Sequence, residues 1–151
     1  MKKATTVIIL LITAFIGAMI LNLDEFAFGK PANIKNMIVT VLYVAVWIFV
    51  LAVTVKRKRR KIILYCSIFW IVTLLSSLLT VFINATEVSA NWALPLCLLF
   101  LSPFYGIEYF VNNYLSSSII ISVVSLGMSI AAILFIIRIN TVAKEPRSVS
   151  T

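Results

Sequence analysis

Between residues 62 and 83 the chain sets down twenty-two consecutive residues without one charge. A bilayer core is crossed by about 20 apolar residues of helix. Three further stretches meet that length: 4–23, 37–55 and 115–139, with Arg138 the one charge, at the very end of the last. Backbone polar groups in lipid must pair within their own segment, so such stretches are expected to be helices. The composition agrees. Of 151 residues 62% are hydrophobic and 12% charged, against roughly 45–50% and about 25% for a soluble domain. The fold class expected is all-α: a single polytopic membrane helix bundle over residues 1–151. Lys2 and Lys3 ahead of the first stretch resemble a signal peptide. That stretch is too long for a typical signal core and no A-x-A site follows, so a retained helix is expected.

The region 92–113 is apolar enough to cross but carries Pro95, Pro103, Gly106 and Glu108. Ser102-Pro103 reads as a helix N-cap followed by proline at the first helical position. Two short helices broken near Ser102 are expected. They would form a re-entrant or interfacial segment on the outer side, with a fifth span as the alternative.

Charge placement discriminates the two. Lys56, Arg57, Lys58, Arg59, Arg60 and Lys61 form an unbroken basic run between two apolar stretches. In that setting it reads as a topology determinant and an anchor for anionic lipid headgroups, not as a nucleic-acid site. With four spans and a cytoplasmic N-terminus, this loop, Lys2, Lys3, Arg138, Lys144 and Arg147 all lie inside. Only Lys30 and Lys35 then lie outside, an asymmetry of eleven to two. Asp24, Glu25, Glu87 and Glu108 fall outside and Glu145 inside. A fifth crossing moves Arg138, Lys144 and Arg147 outside and weakens the count to eight against five. The positive-inside rule therefore favours four spans, with both termini cytoplasmic at the cell membrane. Residues 141–151 read as a flexible tail.

Lipid is as apolar as leucine, so helices in it associate through small and hydroxyl residues. Thr73, Ser77, Thr80 and Asn84 recur at i, i+4, i+7 and i+11, within a narrow sector at about 100° per residue. Ser118, Ser122, Ser125 and Ser129 repeat that spacing in the last stretch, continued by Ala132. A weaker line joins Thr6, Thr13 and Gly17. The two strong seams run antiparallel in the four-span arrangement and are expected to touch. A polar path for a small solute is the alternative use of these hydroxyls, although no ionisable residue stands in mid-membrane where transporters usually carry one.

Candidate chemistry is sparse. There is no histidine, and Cys66 and Cys97 lack C-x-x-C spacing, so neither a metal nor a redox motif is indicated. Their expected depths differ by several helical turns, too far for a disulfide. No phosphate-binding, serine-hydrolase or zinc-protease motif occurs, and no cofactor is expected. Asp24 and Glu25 are adjacent, do not share a helix face, and read as a solvated loop. Glu108 stands out. On a continuous helix Tyr105, Glu108 and Asn112 share a face, and a carboxylate with a phenol and an amide suits a cation or a headgroup amine. The plainer reading puts Glu108 in an interfacial aromatic belt with Trp92, Tyr109 and Tyr114. The function expected is that of a non-enzymatic membrane protein acting through lipid, a membrane-protein partner or self-association, as an accessory, immunity or envelope-associated subunit. A small transporter or channel subunit, and an outer-face membrane enzyme using Glu108, are the alternatives.

Overall fold

The computed structural model describes residues 2–86 and 91–144. All regular structure among the described residues is helical: α1 (Lys2–Ala27), α2 (Ile34–Lys56), α3 (Arg60–Thr86), α4 (Leu94–Leu101), α5 (Glu108–Val111) and α6 (Tyr114–Lys144). Two 3-10 stretches, Asn91–Ala93 and Ser102–Ile107, flank α4. Glu87 and residues 145–151, the greater part of the expected tail, lie outside the described residues. Among the described residues, five stretches are long and apolar enough to cross a membrane, the fourth being Asn91–Val111. The chain is a multi-pass helical membrane protein.

The long helices outrun their apolar cores. Residues 141–144, expected in the tail, continue α6, and Thr141 Oγ1 donates to the Ile137 carbonyl one turn back at 3.0 Å. Asp24 and Glu25, expected in a loop, belong to the last turn of α1. There Lys30 reaches Asp24 and Lys35 reaches Glu25, each at 2.6 Å. The Asp24 carboxylate holds the Lys30 ammonium above the usual lysine range. α1 ends with Gly29 in the left-handed region (φ 60°), and the Lys30 N–H returns to the Glu25 carbonyl at 2.9 Å, as helix C-terminal motifs do. Of the basic run, Lys56 closes α2 and Arg60 and Lys61 open α3. Only residues 57–59 make the turn, with Lys58 left-handed at φ 51°.

α3 and α6 form the central antiparallel pair. Ser122 Oγ lies 2.9 Å from Ser77 Oγ, and Thr80 and Asn84 line a common cavity with Ser117 and Ser118. α6 therefore begins at the end of the bundle where α3 finishes. The line Thr6, Thr13, Gly17 does not serve α1 in this way. Thr6 and Thr13 are exposed, and no atom lies within 4 Å of where a Gly17 Cβ would be. α1 instead buries Leu11, Ala18 and Asn22, an i, i+7, i+11 line displaced around the helix from the hydroxyls.

The connection between α3 and α6 turns back on itself. Cys97 of α4 sits beside Thr80 at 3.2 Å. Phe100, one turn on, packs its ring 5.8 Å from Phe69 and 6.2 Å from Phe15. Phe69 precedes the end of α3 by seventeen residues, roughly 25 Å of helix. Phe104 then meets Trp70 and Tyr43, at 5.8 and 5.3 Å. One residue later the chain is returning: the Tyr105 hydroxyl donates to the Lys30 carbonyl and its ring stacks 6.4 Å from Tyr114. Residues 91–113 thus descend into the bundle and come back to the end they left. The chain runs the length of the bundle four times, in α1, α2, α3 and α6. The core under the hairpin tip is aromatic: Trp47 stacks on Phe69 at 4.4 Å, and Trp70 meets Trp47 edge-on at 5.4 Å.

Candidate functional site

A hairpin that reverses inside a bundle leaves backbone groups without helical partners. Pro103 has no N–H, and the α-helix gives way to a 3-10 stretch at Ser102. The freed groups are met by two polar side chains, Asn22 of α1 and Thr40 of α2, with Asn36 of α2 bonded to Asn22 behind them. Asn22 Nδ2 donates to the Ser102 carbonyl at 3.1 Å and lies 3.4 Å from that of Pro103. Thr40 Oγ1 donates to the Pro103 carbonyl and accepts from the Gly106 N–H, both at 2.9 Å. Asn36 Nδ2 donates to Asn22 Oδ1 at 3.1 Å. Asn36 also takes part in the capping box that starts α2, its Oδ1 accepting from the Asn33 N–H at 2.9 Å. Asn22, Asn36 and Ser102 are fully buried. Gly106 lies against this knot so closely that a Cβ there would stand 2.2 Å from the Asn36 carbonyl oxygen. No other residue type fits.

The sequence predicts that Ser102 caps a second helix with its side chain. It does not. The break is held by its carbonyl, and its Oγ is buried without a hydrogen-bond partner. The helix face uniting Tyr105, Glu108 and Asn112 is also absent, because Tyr105 lies in 3-10 geometry and Asn112 leaves α5 as a left-handed cap with φ 51°. Asn112 is exposed and apart. Tyr105 and Glu108 remain together.

Both line a cavity of about 600 Å³ at the end of the bundle opposite the basic loop. Its lining is aromatic at Phe26, Phe104, Tyr105 and Tyr114 and aliphatic at Leu94, Leu98, Leu101 and Ile121. Thr80, Asn84, Ser117 and Ser118 supply polar edges where α3 meets α6. Glu108 is 8% exposed, and its Oε2 is sealed from solvent with no hydrogen-bond partner. Among the described residues lining this space it is the one acidic or basic side chain. Trp92, Tyr109, Phe110 and Tyr114 are exposed around it, as an interfacial belt would be.

The remaining predicted positions divide cleanly. Thr73, Ser77, Ser118, Ser122, Ser125 and Ser129 are buried, Thr80 is half-buried and Asn84 is exposed at the cavity. The hydroxyls mostly bond to their own helices: Thr73 Oγ1 donates to the Phe69 carbonyl at 3.0 Å and Thr80 Oγ1 to that of Ser76 at 2.9 Å. The cavity does not continue past Ser118 to Thr73, Ser77 or Ser125. Among the described residues, the basic run makes no ion pair. Cys66 is buried and Cys97 half-buried, both as free thiols. A second hollow, of about 630 Å³ and bordered by Leu11, Phe15, Tyr65, Phe69, Leu99 and Phe100, is almost wholly apolar.

Asn22, Asn36 and Thr40 are the functional positions that sequence reasoning misses. Their signal is indirect: a proline break inside an apolar segment requires donors at its own depth, and few residues could supply them. Comparison with family models, with curated proteins and with solved structures finds no match.

Proposed function

We propose that this chain is a non-enzymatic protein of the cell membrane that acts by engaging lipid or a membrane-embedded partner in the outer leaflet. Its basic loop and both termini are cytoplasmic, by the eleven-to-two asymmetry of basic residues. The observation that carries the reading is the hairpin. It is bolted in place by buried amides and a threonine, and beside it stands a cavity walled mainly by apolar and aromatic side chains. Concave, mostly apolar spaces with a few polar groups are what small-molecule and lipid sites look like. The Ser/Thr seams are consumed in helix packing, so a solute path along them finds little support. The run from Lys56 to Lys61, without an ion pair among the described residues, suits adhesion to anionic headgroups on the opposite leaflet, at about 1 kcal/mol for each basic residue.

Crosslinking in intact membranes followed by isolation should recover one discrete protein, a second copy of this chain, or one enriched lipid class. Recovery of none of the three would sink the reading. Sidedness is tested separately, with Cys66 and Cys97 replaced. A cysteine at Asn112 should react with an impermeant maleimide in intact cells, and one at Lys58 only after permeabilisation. The reverse pattern would invert the topology.

A further inference from the structure

We infer that the cavity beside the hairpin binds the ammonium group of an amphiphile, with Glu108 as its counter-charge. This deepens the reading above and rests on it. Three carboxylates are described at this end of the bundle. Asp24 is taken by Lys30 and Glu25 by Lys35. Among the described residues Glu108 has no cation partner, although it is the most buried of the three. A carboxylate with one oxygen, Oε2, desolvated and without a hydrogen-bond donor is costly to hold, and such a group inside a membrane protein marks a functional site by default. Here it forms part of the wall of a space large enough for a ligand.

The walls specify the rest of that ligand. Phe26 meets Tyr105 edge-on at 5.3 Å, and Tyr105 stacks on Tyr114 at 6.4 Å. Aromatic rings that share a cavity with a carboxylate favour an organic cation, and Leu94, Leu98 and Ile121 in the same lining favour an attached alkyl chain. A hydrated inorganic cation would find too few oxygen ligands: no group of three acidic or thiol side chains that could hold a metal occurs among the described residues. The shared chemistry is an alkylammonium, whether the headgroup amine of a phospholipid or a free amphiphilic amine.

The test uses the full chain in phosphatidylcholine nanodiscs with two photoactivatable probes. One is a diazirine-bearing decylammonium, the other the alcohol of the same chain, each at the same mole fraction. The ammonium should label the peptides containing Leu94–Leu98 and Ile121 at least fivefold more than the alcohol. Glu108→Gln should abolish that excess, whereas Asp24→Asn should leave it intact. Replacing part of the phosphatidylcholine with phosphatidylethanolamine distinguishes the sources. Competition identifies a lipid headgroup, and undiminished labelling identifies a free amine; either outcome supports the site. Equal labelling by the two probes in the wild-type protein would overturn the inference without any variant, as would an excess that survives Glu108→Gln in folded protein. If labelling is equal while a partner or lipid class is still recovered from membranes, the ammonium site falls alone. If neither is recovered, the broader reading falls with it.

Discussion

The serine seam between α3 and α6 and the amide knot at the hairpin are both buried polar structures, and they hold the molecule in opposite ways. In the seam most hydroxyls are satisfied within their own helix. Ser76 Oγ donates to the Val72 carbonyl and Ser77 Oγ to that of Leu74, each at 2.9 Å. Ser122 lies as close to its own Ser118 carbonyl as to Ser77, at 2.9 Å. Ser125 and Ser129 are buried with no hydrogen-bond partner at Oγ. What the seam supplies is smallness, which lets two backbones approach. In the knot no small residue but Gly106 matters for size. Asn22, Asn36 and Thr40 join three segments that are up to eighty-one residues apart in sequence, and each satisfies a group that lipid would leave bare. A polar side chain in a membrane protein is therefore not one kind of thing. Its worth depends on whether its removal leaves an orphan.

The knot is most sensitive at Gly106. Gly106→Ala puts a methyl against the Asn36 backbone, where nothing flexible can yield. It should destabilise by about 3 kcal/mol or more, read as loss of the folded fraction in a mixed-micelle denaturation series. Asn22→Leu keeps the branched heavy-atom skeleton but leaves the Ser102 carbonyl without its side-chain donor and Asn36 Nδ2 with Glu25 Oε2, at 3.4 Å, as its remaining acceptor. We expect a loss of about 2–3 kcal/mol in the same assay. Thr40→Val strands the Gly106 N–H and leaves the Pro103 carbonyl with Asn22 Nδ2 at 3.4 Å, at about 1–2 kcal/mol. Ser77→Ala removes a hydroxyl whose neighbours stay satisfied, and should cost no more than about 0.6 kcal/mol. Ser125→Ala removes an already unpartnered hydroxyl and should be neutral or slightly stabilising. If Ser77→Ala proved as damaging as Asn22→Leu, the distinction between the regions would collapse.

The same difference explains what can be read in the sequence. The seam announces itself because its residues repeat at helical spacing on one element, so Thr73, Ser77, Ser118, Ser122, Ser125 and Ser129 can be picked out by their period alone. The break at Ser102 is visible because Pro103 cannot donate a backbone hydrogen bond. The knot has no period. Its donors are scattered over two helices, and its acceptors are backbone carbonyls, which no residue type marks. The candidate site is half legible: Glu108 stands out as the acid of an apolar segment, but its neighbours follow from the path of the hairpin. Asn112 shares a face with Glu108 only on a regular α-helix, and the chain instead turns as 3-10 and then left-handed.

Because residues 91 and 113 lie at the same end of the bundle, the segment between them has no say in which way α6 runs. A short linker from α3 to α6 would preserve the direction of every long helix. The hairpin is a tenant of the bundle, free to diverge in sequence or length as long as Gly106 and the side chains that receive it, Asn22 and Thr40 with Asn36 behind them, keep their place. In a lineage of such proteins the α3–α6 frame should change slowly, and what the cavity accepts should change with the hairpin.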